Sequence, residues 1–193
     1  YLPSSAVIKP RKGFGGEGVL LLYGRNKSGK WILADRKEAG INDLKAHIYS
    51  ILSGAFSKSG NSDWALIEER LRITPELKSL GSKGAPDIRV VVFNRVPVMA
   101  MIRLPTRESG GRSNLHQGGI GIGIDLGSGR TTSAVYRGQI IEYLPHSRRR
   151  LCGVTIPYWK KILTMAVKAA DAIGLGFSGV DIIVDRERGP VVI

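Results

Sequence analysis

The chain has 193 residues, enough for one domain or slightly more at roughly 100–200 residues each; 29 Lys plus Arg against 16 Asp plus Glu give a formal charge of +13. Hydrophobic residues make up 42% and charged residues 23%, which excludes disorder over the whole length, while the charge favours an acidic partner. The single cysteine, Cys152, excludes a disulfide framework and a cysteine-rich zinc site, and no run approaches the ~20 apolar residues of a membrane span. A lone cysteine fits a reducing compartment, so the expected location is cytoplasmic, without a membrane partner. The start at Tyr1 has neither a signal-peptide pattern nor an initiator methionine, and a fragment is expected.

Residues 6–8 read as a short buried strand and residues 19–23 as a second, with a glycine cluster, residues 13–18, between them. Turn residues at 24–29 lead to a third strand at 31–34. From Asn42, the expected N-cap, Leu44, Ile48, Ile51 and Leu52 fall on one helical face that would close over this sheet. Residues 57–63 are a polar link, and residues 64–71 a strand that could join two lobes. The second half opens near Pro75. Residues 87–93 and 96–104, joined by Asn94-Arg95, predict an antiparallel hairpin with Pro97 on an edge. A polar loop, 105–119, precedes short strands at 120–125, 133–136 and 139–143. Trp159, Ile162, Leu163, Ala166, Val167 and Ile173 give an amphipathic helix over 158–173, ended by Gly174 and Gly176. A last strand pair covers 180–184 and 190–193.

Two motif matches fail on chemistry or context. Residues 24–30, G-R-N-K-S-G-K, approach a P-loop, but Trp31 stands where a Ser or Thr hydroxyl must reach magnesium, and a strand follows instead of a helix. Residues 13–18 fit G-x-G-x-x-G by letter, yet they also run into a strand, where a dinucleotide loop would open a helix. A strand, glycine loop, strand order suits a flap whose backbone N–H groups reach phosphate oxygens, with Lys9 just before it to neutralise charge. From these residues alone, a plain glycine-rich hairpin with a solvated lysine fits equally.

Residues 7–10 with the flap, the run Ile67 to Leu71, the strand starting at Asp87, R-S-N-L-H-Q-G-G at 112–119 and G-V-D-I at 179–182 occur in the order seen in ATP-grasp ligases. The chain resembles the bacterial alpha-L-glutamate ligase-related, sugar-transfer-associated ATP-grasp proteins, and its S-N-L-H run is similar to that of the ligases that add glutamate to ribosomal protein. The resemblance spans residues 7–193. It implies an α+β fold in which two lobes with antiparallel sheets grip ATP, here residues 1–71 with flap and hinge strand and residues 72–193 with the phosphate and magnesium sites, truncated at both ends. Carried over residue by residue, Lys9 matches the phosphate lysine and Gly13, Gly15, Gly16 and Gly18 the flap. Glu68, Glu69 and Leu71 match the adenine hinge, with Glu76 a candidate for the ribose hydroxyls. Arg89 and Arg103 look like the arginines facing the transferred phosphate, with Asn114 beside them, and Asp181 like the first magnesium ligand, with manganese an alternative ion.

Other meanings stay open for each residue: solvated charges for Glu68 and Glu69, a solvent-facing arginine for Arg89, and a loop-ordering hydrogen bond for His116. An unpaired carboxylate within the apolar strand at Asp181 would be costly. The family pattern expects a Glu-x-Asn pair soon after the motif aspartate and a further lobe before the lysine strand, and neither falls within the 193 residues; Asp185, in a turn, is a poor substitute ligand. The implied activity is ATP-dependent joining of a carboxylate, glutamate by family likeness, to an amine. One alternative is an ATP-binding regulatory or scaffold protein. Another is a nucleic-acid binder, favoured by Arg148-Arg149-Arg150 but opposed by aromatics of only 7%, not interleaved with the basic residues. The sequence carries no signal for oligomeric state.

Overall fold

The computed structural model of the chain describes residues 2–3, 5–33, 36–80, 84–106, 108–109 and 113–193. The chain divides into two units, residues 1–70 and residues 71–193, and each is described by itself.

In the first unit, β1 (Ala6–Pro10) buries Ala6 and Ile8 while Val7 and Lys9 stay partly exposed, the alternation of a half-buried strand. It lies between β2 (Leu20–Arg25) and β5 (Ala65–Glu69). With β3 (Trp31–Leu33) and β4 (Glu38–Ala39) the order is β4-β3-β2-β1-β5, antiparallel throughout. Residues 24–30 form the hairpin turn between β2 and β3, closed by the Asn26 N–H on the Lys30 carbonyl at 2.9 Å. The helix α1 (Ile41–Leu52) buries Leu44 and Ile51 in one cluster with Ala6, Ile8, Leu22 and Trp31, each such side chain contributing about 1.5–3 kcal/mol. Its N-cap is Gly40 rather than the expected Asn42. The Gly40 N–H donates to the Asp43 carboxylate at 2.7 Å, which places an acid at the positive end of the helix.

In the second unit the order is β10-β9-β8-β7-β6-β11-β12, again antiparallel. The strands are β6 (Asp87–Phe93), β7 (Val96–Leu104), β8 (Ile120–Ile124), β9 (Thr131–Tyr136), β10 (Gln139–Ile141), β11 (Phe177–Asp185) and β12 (Gly189–Val192). A short helix, α2 (Pro75–Lys78), precedes the sheet, and α3 (Trp159–Ile173) covers one face of it. Ile88, Val90 and Val92 of β6, Ala100, Ile102 and Leu104 of β7, and Val180, Ile182 and Val184 of β11 pack with Trp159, Ile162, Ala166 and Ala170 of α3. By strand alternation the intervening residues, Asp87, Arg89, Arg103 and Asp181 among them, face the other way. Asn94 and Arg95 form the tight turn between β6 and β7 with φ of 45° and 67°, the mirror-turn conformation that suits strand twist.

Pro97 lies on an interior strand, not on a sheet edge. The pairing of β7 with β8 begins only at Met101, so Pro97 extends past β8, where its missing N–H breaks no ladder bond. The loop between β8 and β9 is held by Gly129, which is buried at φ 69° under the Trp159 ring, while the Trp159 indole N–H donates to the Leu126 carbonyl at 2.8 Å. A methyl at 129 would overlap that ring. Gly129→Ala should therefore cost about 2–3 kcal/mol in urea unfolding, whereas Gly138→Ala, at φ 76° with open space around it, should cost only about 1 kcal/mol; equal losses would remove the packing explanation.

Candidate active site

Antiparallel register sets Asp87 opposite Arg103 and Arg89 opposite Asp181, on the face turned away from α3. The Arg89 guanidinium forks onto the Asp181 carboxylate, Nε to Oδ1 at 2.7 Å and Nη2 to Oδ2 at 2.6 Å. Arg103 joins the two acids, with Nε donating to Asp87 Oδ1 at 2.6 Å and Nη2 lying 2.9 Å from Asp181 Oδ2. Asp87 and Arg103 are buried, Arg89 and Asp181 half-buried. Burial pushes the Asp87 carboxyl above its ordinary pKa, the Arg103 donors pull it back, and the nearby Asp181 charge adds to the rise. Hydrogen bonding to Asp181 holds Arg89 above its ordinary value, so it stays cationic. Two guanidinium groups aimed at one carboxylate make an oxyanion receptor whose resident oxyanion is Asp181.

Ser113 Oγ donates to the Ala85 carbonyl at 2.9 Å, just before Asp87. Asn114 sits before a short 3-10 turn (Leu115–Gln117), where its backbone carbonyl accepts the Gln117 and Gly119 N–H groups at 3.1 Å. Leu115 packs over Gly121 of β8. His116 is exposed, and Glu76 is exposed in the first turn of α2. Arg112 lies outside the described residues.

In the first unit Lys9 Nζ meets Glu68 Oε2 at 2.8 Å across the β1–β5 pair, bringing together the lysine and one hinge carboxylate. Glu69 closes β5, and Leu71, half-buried, begins the second unit. Gly13 bridges to Ser57, and Gly15, Gly16 and Gly18 have φ of 61°, 78° and 72°. At Gly18 a side chain would also run into the Phe56 ring. Two supports of this loop escaped the sequence reading. His47 of α1 donates from Nε2 to the Gly18 carbonyl at 2.9 Å, since a carbonyl can only accept. The buried Asp63 takes the Lys12 N–H at 2.8 Å and the Trp64 N–H at 2.7 Å. Helical spacing placed His47 on a face but gave no sign of the loop above it, and Asp63 acts across 51 residues. Asp87 was not among the sequence candidates either, although its place two residues before Arg89 on one strand, and so on the same face, was a signal that could have found it.

The family described as sugar-transfer associated ATP-grasp matches residues 1–193. The chain belongs to that family. Two antiparallel sheets with few helices are the α+β architecture expected of an ATP-grasp protein. A comparison with curated proteins gave no match. Membership supports an ATP-dependent, ligase-type function in general terms, with ATP binding and typically a divalent metal. No helix among the described residues is long and apolar enough to cross a membrane.

Among the described residues no three His, Cys, Asp or Glu side chains cluster as a metal site. Asp181 fits magnesium by donor chemistry, a hard carboxylate oxygen, although both of its oxygens now accept guanidinium N–H groups. Asp185 does not fit. Its carboxylate is taken up by the backbone N–H groups of Arg72 at 2.6 Å and of Glu187 and Arg188 at 2.9 Å, tying the start of the second unit to the β11–β12 turn. Burial pushes the Asp185 carboxyl up, but these donors outweigh it and hold it below the ordinary value. A depressed carboxyl stabilises the fold above its unfolded pKa, and that stability is lost as pH falls through the folded pKa. Asp185→Asn should cost about 1.5–3 kcal/mol at neutral pH in urea unfolding, and the difference from the unaltered chain should shrink as pH falls below about 4; a pH-independent difference would contradict this.

Proposed function

We propose that this ATP-grasp protein is a carboxylate–amine ligase that forms an amide through an acyl phosphate. The observation that carries the reading is the convergence of Arg89 and Arg103 on the Asp181 carboxylate, an arrangement suited to transferring phosphoryl oxygens. Phosphoryl transfer needs positioning and charge neutralisation more than a protein nucleophile, and two cations backed by a buried acid provide them.

In this scheme Lys9 and the backbone N–H groups around Gly13, Gly15, Gly16 and Gly18 hold the ATP phosphates. Glu68, Glu69 and Leu71 take the adenine and Glu76 the ribose. Arg89, Arg103 and Asn114 face the phosphoryl group in transit. A carboxylate oxygen attacks the γ-phosphorus as the bond to the bridging oxygen breaks and ADP leaves. The amine nitrogen then attacks the acyl carbon, phosphate departs with the C–O bond electrons, and the amine proton passes to solvent. Magnesium, when bound, would be held through Asp181 and would neutralise phosphate charge. Glutamate is the carboxylate that likeness to the ribosomal-protein ligases would give, and the cytoplasm the compartment. The Lys9–Glu68 pair is partly exposed and worth only about 0–1 kcal/mol, so an arriving phosphate can take the lysine at little cost.

Calorimetry of ATP on the intact protein, with and without magnesium, checks the scheme. The unaltered protein should bind ATP in a magnesium-dependent way. Lys9→Ala should weaken binding by about tenfold, the loss of one charge-assisted contact, and Asp181→Asn should abolish the dependence on magnesium. Absence of ATP binding, or a magnesium effect untouched by Asp181→Asn, would refute it.

A further inference from the structure

The row of charges on the outer face of the second sheet continues directly into an apolar surface. One same-face step along the strands from Arg89 and Asp181 lie Val91, Met99 and Gly179, and one step further lie Phe93, Val96 and Phe177. Phe93 is 50% exposed, Val96 56%, Met99 50% and Phe177 66%. The two phenylalanine rings meet edge to face at 6.5 Å. Exposed aromatic and methionine side chains gathered beside a charged site mark a binding surface more often than chance exposure. At Gly179 the missing side chain leaves room for the stem of Arg89, whose Cδ and Nε would lie 3.6 Å from a β-carbon there. The Arg89 stem thus lies along the Gly179 backbone, and an apolar strip runs on from the guanidinium groups to the phenylalanine pair.

We infer that this strip takes the body of the carboxylate substrate, and that the substrate is a monocarboxylate with an apolar, aliphatic or aromatic body rather than a dicarboxylate such as glutamate. This rests on the ligase reading and deepens it. The carboxylate end meets Arg89 and Arg103, which already hold a carboxylate, that of Asp181. A second carboxylate on the ligand would need a second cation along the strip. The six positions of the two steps carry none, and Arg95, in the turn past them, is farther off than the second carboxylate of a molecule as short as glutamate can reach. Two same-face steps of a strand cover about 13 Å, which sets the length of the body that can lie against the sheet.

The direct test is calorimetry of decanoate, 3-phenylpropanoate and glutamate on the intact protein, with magnesium and a non-hydrolysable ATP analogue. The apolar acids should bind at least about tenfold more tightly than glutamate, with the negative heat-capacity change of apolar burial. Phe93→Thr together with Phe177→Thr keeps strand-forming residues at exposed positions and should weaken the apolar acids by about tenfold, with the thermal midpoint read alongside to show that the fold persists. Preference for glutamate overturns the inference. So does unchanged affinity in the double variant, or sedimentation showing that the variant only dissociates a self-associated form. If the analogue does not bind the unaltered protein, the ligase reading falls and this inference with it; if the analogue binds and decanoate does not, this inference falls alone.

Discussion

A guanidinium group buried in the middle of a sheet must be neutralised in place, and the pairing of Arg103 with Asp87 does this. Both side chains are about one-tenth exposed, and they meet at 2.6 Å because adjacent antiparallel strands set them opposite each other. Removing either partner alone would strand a buried charge at a cost of several kcal/mol. The pair therefore fixes the direction of the Arg103 fork, whose Nη2 points at Asp181. Arg89 reaches the same carboxylate from the other side. The candidate site thus depends on strand register: a slip of β6 by one residue would turn Asp87 and Arg89 into the apolar layer under α3 and away from Arg103 and Asp181.

That apolar layer is what holds the register. Ile88, Val90, Val92, Ala100, Ile102, Leu104, Val180, Ile182 and Val184 lie on the α3 side, and the charged and apolar rows of the outer face follow by alternation. The loop bearing Ser113 and Asn114 is anchored next to Asp87 through the Ala85 carbonyl. In the first unit the same economy of parts recurs: the strand that buries Ala6 and Ile8 presents Lys9 at its outer face, paired with Glu68 from the neighbouring strand.

Much of this was legible in the sequence because periodicity carries it. The strand alternation around Asp87, Arg89 and Asp181 and the 3.6-residue spacing of α3 gave element types and the outward rows. What stayed hidden depended on distance along the chain. The Asp87–Arg103 pair needed the hairpin register, the Asp63 anchor of the glycine loop spans 51 residues, and the His47 contact with Gly18 needed α1 laid against that loop. The cap of α1 was misplaced because Asn42 has the better intrinsic preference, whereas the structure uses Gly40 with Asp43 reaching back. Pro97 read as an edge residue because a proline breaks a ladder; the structure meets the same requirement by ending β8 short of it.

The central claim is that Arg89 and Arg103 hold Asp181 in place of an incoming phosphoryl oxyanion. Side-chain NMR of the arginine 15Nε and aspartate 13Cγ nuclei, followed during titration with magnesium and a non-hydrolysable ATP analogue, tests it most directly. The account predicts that the Arg89, Arg103 and Asp181 resonances move together along the binding curve while Asp87 keeps its bond to Arg103. Saturable nucleotide binding that leaves the Arg89 and Asp181 signals where they were would contradict it.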